Sequence, residues 1–223
     1  MQNKPALLIF DVNETLLDMA PVKAAVIKAL KSPFAFKQWF SWLLHYSLVD
    51  TVTSMYHPFS KIAEASLLMT AASFETYISD EQVQEIVQQM QKLPPHPEVT
   101  KALDMLKQGG YRMVTLTNSS TEALQKQLEH AGINSYFEAS YSIDGLKMYK
   151  PHPQTYLKTV DACSVGADKA MLIAAHGWDT AGARRAGLQA AFIARQGQPV
   201  YPLAPLPNIS GTDLLDLARQ LTN

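Results

Sequence analysis

Four short stretches of this sequence carry groups that could hold a small anion beside buried charge. Asp11 lies in Asp11-Val12-Asn13-Glu14-Thr15, directly after the apolar run 6–10. A carboxylate at the end of a buried strand is costly unless it is hydrogen-bonded or put to use. Thr117-Asn118-Ser119-Ser120 follows the apolar run 113–116 and offers hydroxyls, an amide and backbone N–H groups to an anion. Lys150 stands in Tyr149-Lys150-Pro151-His152-Pro153, and Asp179 in Gly177-Trp178-Asp179-Thr180 after the run 171–174. Taken singly, each has a plain structural explanation: a turn-capping Asp, a helix N-cap, a solvated lysine before proline, a second N-cap. Their order along the chain (acid, hydroxyl and amide, Lys-Pro, acid) makes the set specific.

The elements that must position these groups follow from hydrophobic patterning. Short apolar runs at 6–10, 113–116, 171–174 and 190–193, with a weaker one at 136–141, read as buried strands. Helical patterns at 122–131 and 180–186 end at Gly132 and Gly187, good residues for closing a helix. Strands alternating with helices predict an α/β fold with a Rossmann-like parallel sheet, whose ligands lie beyond the carboxyl ends of the strands. Residues 19–94 break the alternation. They carry helical patterns at 22–30, 34–56, 62–72 and 81–93 and end at Pro94-Pro95-His96-Pro97, which a helix cannot cross. The expected organisation is a core of 1–18 and 95–223 with an all-helical insertion at 19–94. The proline-rich stretch 196–207 reads as a loop, and 213–221 as a final helix.

The composition narrows the function. The chain has 223 residues, of which 47% are hydrophobic and 17% charged, so it supports a sizeable core and is not disordered as a whole. Nineteen basic against 20 acidic residues give a formal charge of -1, which offers no electrostatic footprint for nucleic acid or an anionic membrane. The single cysteine, Cys163, excludes a disulfide within the chain and a cysteine-based zinc site. No apolar run approaches the ~18 residues of a membrane helix, and none reads as a signal peptide. The expectation is a soluble, cytoplasmic protein.

The four stretches together resemble the haloacid dehalogenase superfamily, over nearly the whole chain. The resemblance includes the helical cap after the first motif, the Lys-Pro segment, and Ala181-Gly182-Ala183-Arg184-Arg185-Ala186-Gly187 after the last Asp. It implies that Asp11 is a nucleophile, Thr117 an anion-binding hydroxyl, Lys150 a charge-neutralising lysine and Asp179 the fourth-motif acid. Most members are magnesium-dependent phosphatases, whose pattern places a general-acid Asp two residues after the nucleophile. Here that position is Asn13, which cannot donate and recover a proton. The phosphatase pattern also places a carboxylate four residues before the last Asp, where this chain has Ala175, and magnesium favours carboxylate oxygens. The implied site therefore holds no metal or other cofactor.

The sequence is similar to the (S)-2-haloacid dehalogenase branch through Thr117-Asn118, Tyr156 six residues after Lys150, and Trp178-Asp179. That resemblance implies metal-independent dehalogenation of a small 2-haloacid to a 2-hydroxy acid, through an ester on Asp11, in a possible homodimer. Thr15 would orient Asp11. Asn13, Thr117, Asn118, Tyr156, His176, Phe40 and Lys37 would contact the small carboxylate substrate or its halide. The chain departs from the branch at Asn13, where members carry Tyr, and at Phe40, which an ungapped alignment sets at a halide-binding Arg. Lys37, one helical turn earlier, is the candidate substitute. Ala174 and His176 replace Ser and Asn. His176 has two readings, a hydrogen-bonded histidine at a strand end or a base or donor near the ester. Two other functions stay open: a divergent phosphohydrolase, and a turnover-less small-anion-binding protein of the same fold.

Overall fold

Strand β1 (Leu7–Phe10) is apolar at every position because both of its faces are covered, and all four residues are fully buried in the computed structural model, which describes residues 4–223. It pairs in parallel with β2 (Arg112–Thr117) on one side and β4 (Ala170–Ala174) on the other, so that Phe10 lies opposite both Thr115 and Ile173. Strand β3 (Ala139–Ser142) flanks β2, and β5 (Gln189–Ile193) and β6 (Ile209–Gly211) flank β4. The order β3-β2-β1-β4-β5-β6 reverses direction between β1 and β4, and a ligand crevice forms beyond the strand ends at such a reversal. The expected α/β parallel sheet is thus present. The weak run at 136–141 resolves into a 3-10 turn (Asn134–Tyr136) followed by β3.

Between β1 and β2 come four helices: α1 (Ala20–Leu30), α2 (Ala35–Val52), α3 (Phe59–Ser73) and α4 (Asp80–Gln89), closed by a 3-10 turn (Met90–Lys92). Trp39, fully buried on α2, donates its indole N–H to the Ala63 carbonyl of α3 at 2.9 Å and pins the two helices together. The chain enters and leaves this segment along one seam. The Asp18 and His96 amides donate to the Pro94 and Leu16 carbonyls, at 2.8 and 2.9 Å. Tyr149, just before Lys150, ties the segment to the sheet. Its hydroxyl donates to the His57 carbonyl, its amide donates to the Thr51 hydroxyl, and its ring stacks on Tyr56.

Around the sheet run α5 (Val99–Gln108), α6 (Thr121–His130), α7 (Pro153–Ala162), α8 (Gly177–Arg185) and α9 (Leu214–Thr222). Among the described residues no helix is long and apolar enough to cross a membrane. Helix α8 lies unusually close to the loop that carries Lys150. A Cβ at Gly182 would stand 2.4 Å from the Pro151 Cβ and 2.7 Å from the Tyr156 hydroxyl oxygen. Both neighbours are stiff, so the helix itself would have to move. Gly182→Ala is expected to lower unfolding stability by about 1–3 kcal/mol, as overpacking of a close contact does. Urea denaturation checks this, and an unchanged midpoint would show that the close approach is not needed.

Candidate active site

Asp11 caps the end of β1, Thr117 ends β2, His176 follows β4, and Asp179 occupies the first turn of α8. Lys150 reaches them from the loop before α7, through a cis peptide bond to Pro151. The sheet thus gathers at one crevice groups separated by more than a hundred residues in sequence. The Lys150 ammonium lies between two carboxylates, 2.8 Å from Asp11 Oδ1 and 2.7 Å from Asp179 Oδ2, and donates a third bond to the Leu116 carbonyl at 3.0 Å. Asp11, Lys150 and Asp179 are 5%, 2% and 0% exposed. Burial alone would neutralise Asp11, but the Lys150 charge and the His176 hydrogen bond and charge outweigh it and hold the carboxyl well below the usual range. Burial likewise opposes the Lys150 charge, and the two carboxylates overcome it and raise its pKa. Burial and the Asp11 charge push the Asp179 pKa up against the pull of Lys150 and Tyr156.

The other oxygen of Asp11 is held separately. Thr15 donates its hydroxyl to Oδ2 at 2.6 Å and accepts from the Ala175 amide at 2.9 Å, which ties Asp11 to the segment after β4. His176 Nδ1 also faces Oδ2, at 3.2 Å. Its Nε2 faces Glu14 Oε2 at 2.7 Å, and Gln198 donates to the same Glu14 oxygen at 3.0 Å. The imidazole stacks with both Phe40 and Trp178, with ring centroids 5.9 and 5.2 Å away. Burial would strip its charge, but hydrogen bonds and charge from Asp11 and Glu14 push its pKa up to about 10. Glu14 was not among the sequence candidates. Its position three residues after Asp11 was visible, but nothing local paired it with a histidine 162 positions away.

The remaining candidates divide. Asn13 is buried, donates to the Ser119 hydroxyl at 3.3 Å and accepts from Gln127 at 2.9 Å, which joins the first two motifs. Thr117 is buried and its hydroxyl accepts from the Ser119 amide. Asn118 accepts the Lys150 amide at 2.9 Å and so fixes the lysine loop. Phe40 reaches the site through its stack on His176. Two expectations need correction. Tyr156 is fully buried and donates its hydroxyl to Asp179 Oδ1, so it positions that carboxylate and is closed to substrate. Lys37 is exposed although it shares a helix with Phe40, and it has no part in the buried network. One turn of α2 separates a residue on the sheet side from one in solvent.

A magnesium ion does not fit these residues. The Lys150 ammonium already spans the two carboxylates a cation would bridge, the position of a further carboxylate is the methyl group of Ala175, and Asp11 Oδ2 is taken by Thr15 and His176. Among the described residues no group of three His, Cys, Asp or Glu side chains could hold a metal.

A family model of haloacid dehalogenase-like hydrolases matches residues 5–187. The haloacetate dehalogenase H-2 of Moraxella sp. (strain B) is 27% identical over 205 residues, which cover 91% of this chain and 92% of that protein. The (S)-2-haloacid dehalogenase 4A of Burkholderia cepacia is 28% identical over 204 residues, 89% of this chain and 87% of its own length. The solved L-2-haloacid dehalogenase of Xanthobacter autotrophicus, with chloropropionic acid covalently bound, shares the fold with a TM-score of 0.89 at 21% identity, covering 97% of this chain and 98% of that one. With the buried lysine bridge at the predicted strand ends and a match across most of its length, the chain belongs to the haloacid dehalogenase-like hydrolases.

Proposed function

We propose that this protein is a metal-independent hydrolytic dehalogenase that converts a small 2-haloacid, of (S) configuration by likeness to its relatives, to a 2-hydroxy acid. The observation that carries this reading is the Lys150 ammonium shared by Asp11 and Asp179, in a site whose position 13 holds an amide and not an acid. A halide leaves as a stable anion and needs no proton, so the chemistry does without the general acid that an alkoxide leaving group requires. For the same reason a phosphohydrolase fits poorly, because Asn13 is locked to Ser119 and Gln127.

In the first step an ionised oxygen of Asp11 attacks the carbon that bears the halogen, the C–O bond forms, and the halide departs with the bonding pair. In the second, water attacks Cγ of the Asp11 ester. Asp179, whose proton affinity is raised by burial, takes a proton from that water, and collapse of the tetrahedral intermediate returns Asp11 as a carboxylate and releases the hydroxy acid. Thr117 and Asn118 line the anion side, and Phe40 supplies an apolar wall. Residues 19–94 act as a cap over the core of 1–18 and 95–223, where residues 1–3 lie outside those described. Exposed Val49 and Val52 on α2, with Leu68 and Met69 on α3, suit the face of a homodimer. The single buried Cys163 suits the cytoplasm.

Mixing the protein with (S)-2-chloropropionate is expected to release chloride equally with and without EDTA. Asp11→Asn should lose at least about 1,000-fold in rate, as loss of a nucleophile does. A fully active variant would remove the mechanism. The pH dependence follows from the depressed Asp11 pKa. The native carboxyl stays ionised below its ordinary value of 3.8, and the stability from its pairing is complete above that value and lost as pH falls through the native one. The rate at low substrate should therefore show no acid limb from Asp11 above about pH 4. An acid limb near pH 6 in the unaltered protein, with the Asp11 carboxyl titrating over the same range by carbon-13 NMR, would contradict this account.

A further inference from the structure

The clamp around His176 is the part of the site that the proposed steps leave unused. Asp11 Oδ2 faces one ring nitrogen and Glu14 Oε2 the other, at 3.2 and 2.7 Å, so both nitrogens meet carboxyl oxygens, the arrangement that suits an imidazolium donating from each. Phe40 and Trp178 both stack on the ring. The charged groups near it are Asp11 and Glu14 in contact, with Lys150 and Asp179 beyond Asp11, and Gln198 braces Glu14. Glu14 has φ 60, a left-handed backbone that disfavours any residue with a Cβ, and its side chain runs straight to the imidazole. Such an outlier inside a site points to use.

The two oxygens of Asp11 are also unlike. Among the described residues Oδ1 meets Lys150 alone, whereas Oδ2 faces both the Thr15 hydroxyl and His176 Nδ1. Oδ1 is therefore the oxygen free to attack, and Oδ2 becomes the ester carbonyl. Attack by water at Cγ moves the carbonyl π pair onto Oδ2, and collapse reforms that double bond and breaks Cγ–Oδ1. Oδ1 leaves in the hydroxy acid with one proton, and the other proton of the water goes to solvent. We propose that His176 is a catalytic residue of this second step, donating from Nδ1 to the developing oxyanion on Oδ2, and that Glu14 is the positioning residue that keeps the ring charged once esterification has consumed the Asp11 charge. The proposal rests on Asp11 being the nucleophile. The proton of His176 stays on the ring throughout, so the residue acts through charge and placement.

Three measurements test it. In the free protein at pH 8, nitrogen NMR of the His176 ring should show both nitrogens protonated, and a neutral ring would overturn the proposal whatever the substrate. With (S)-2-chloropropionate in rapid mixing, His176→Gln should slow ester hydrolysis roughly 100-fold, the scale of one lost oxyanion donor. Chloride then appears as a burst of one equivalent per site, and the ester on Asp11 accumulates in the mass spectrum. Glu14→Gln should bring the alkaline loss of the hydrolysis step to lower pH than in the unaltered protein, since a raised histidine pKa holds its charge below that value and loses it above. A raised KM without a burst, or an unmoved alkaline limb in Glu14→Gln, would overturn the proposal. An unaltered protein that releases no halide from any short haloacid would instead remove the dehalogenase reading, and the NMR result would still decide the charge of His176.

Discussion

One buried ammonium governs this site. Lys150 meets Asp11 and Asp179 within hydrogen-bond distance, and its side chain is almost wholly removed from water. Charges buried this way are costly unless each is paired, and removing one partner leaves another stranded. The arrangement therefore holds only as a whole. His176 extends it: each oxygen of Asp11 has its own basic partner, Lys150 on Oδ1 and His176 on Oδ2. Two basic side chains thus face three carboxyl groups within hydrogen-bond distance, where a divalent metal lacks a full set of oxygen donors.

The fold is arranged around that cluster. Parallel strands end together at the reversal between β1 and β4, which sets Asp11 beside the segment carrying Ala175 and His176. Gly182 lets α8 lie against the lysine loop, so that Asp179 and Lys150 can meet. The inserted helices reach the same place from the other side. Phe40 covers His176, and Tyr149 joins the loop of Lys150 to Thr51 and His57. The residue that supplies the central charge is thereby anchored in both halves of the molecule.

Much of this was legible in the sequence because central strands buried on both faces must be continuously apolar, and Leu7–Phe10 and Ala170–Ala174 are. The positions of Asp11, Lys150 and Asp179 are legible from strand ends and from a spaced set of motifs, whereas Thr15 comes only with the family resemblance. Strand β6 was missed because it has three residues at the sheet edge, next to prolines that read as loop. Helices α5 and α7 carry weaker sequence signals, although the buried Val99, Ala102, Leu103 and Leu106 have helical spacing. Side-chain partners across long separations were beyond local patterns. The pairing of Glu14 with His176, the closing of Tyr156 onto Asp179 and the outward turn of Lys37 all depend on how distant elements pack. The first of these sets a histidine with two readings between two carboxyl groups.

The central claim is that Asp11 becomes covalently bound and that water attacks its own carboxyl carbon. A single turnover with protein in excess over (S)-2-chloropropionate, run in water enriched in oxygen-18, separates this from direct attack of water on the substrate. The account predicts that the heavy oxygen enters Asp11, detected in the peptide that contains it, and that the first hydroxy acid released carries ordinary oxygen. Label found in the product, with none in Asp11, would contradict it.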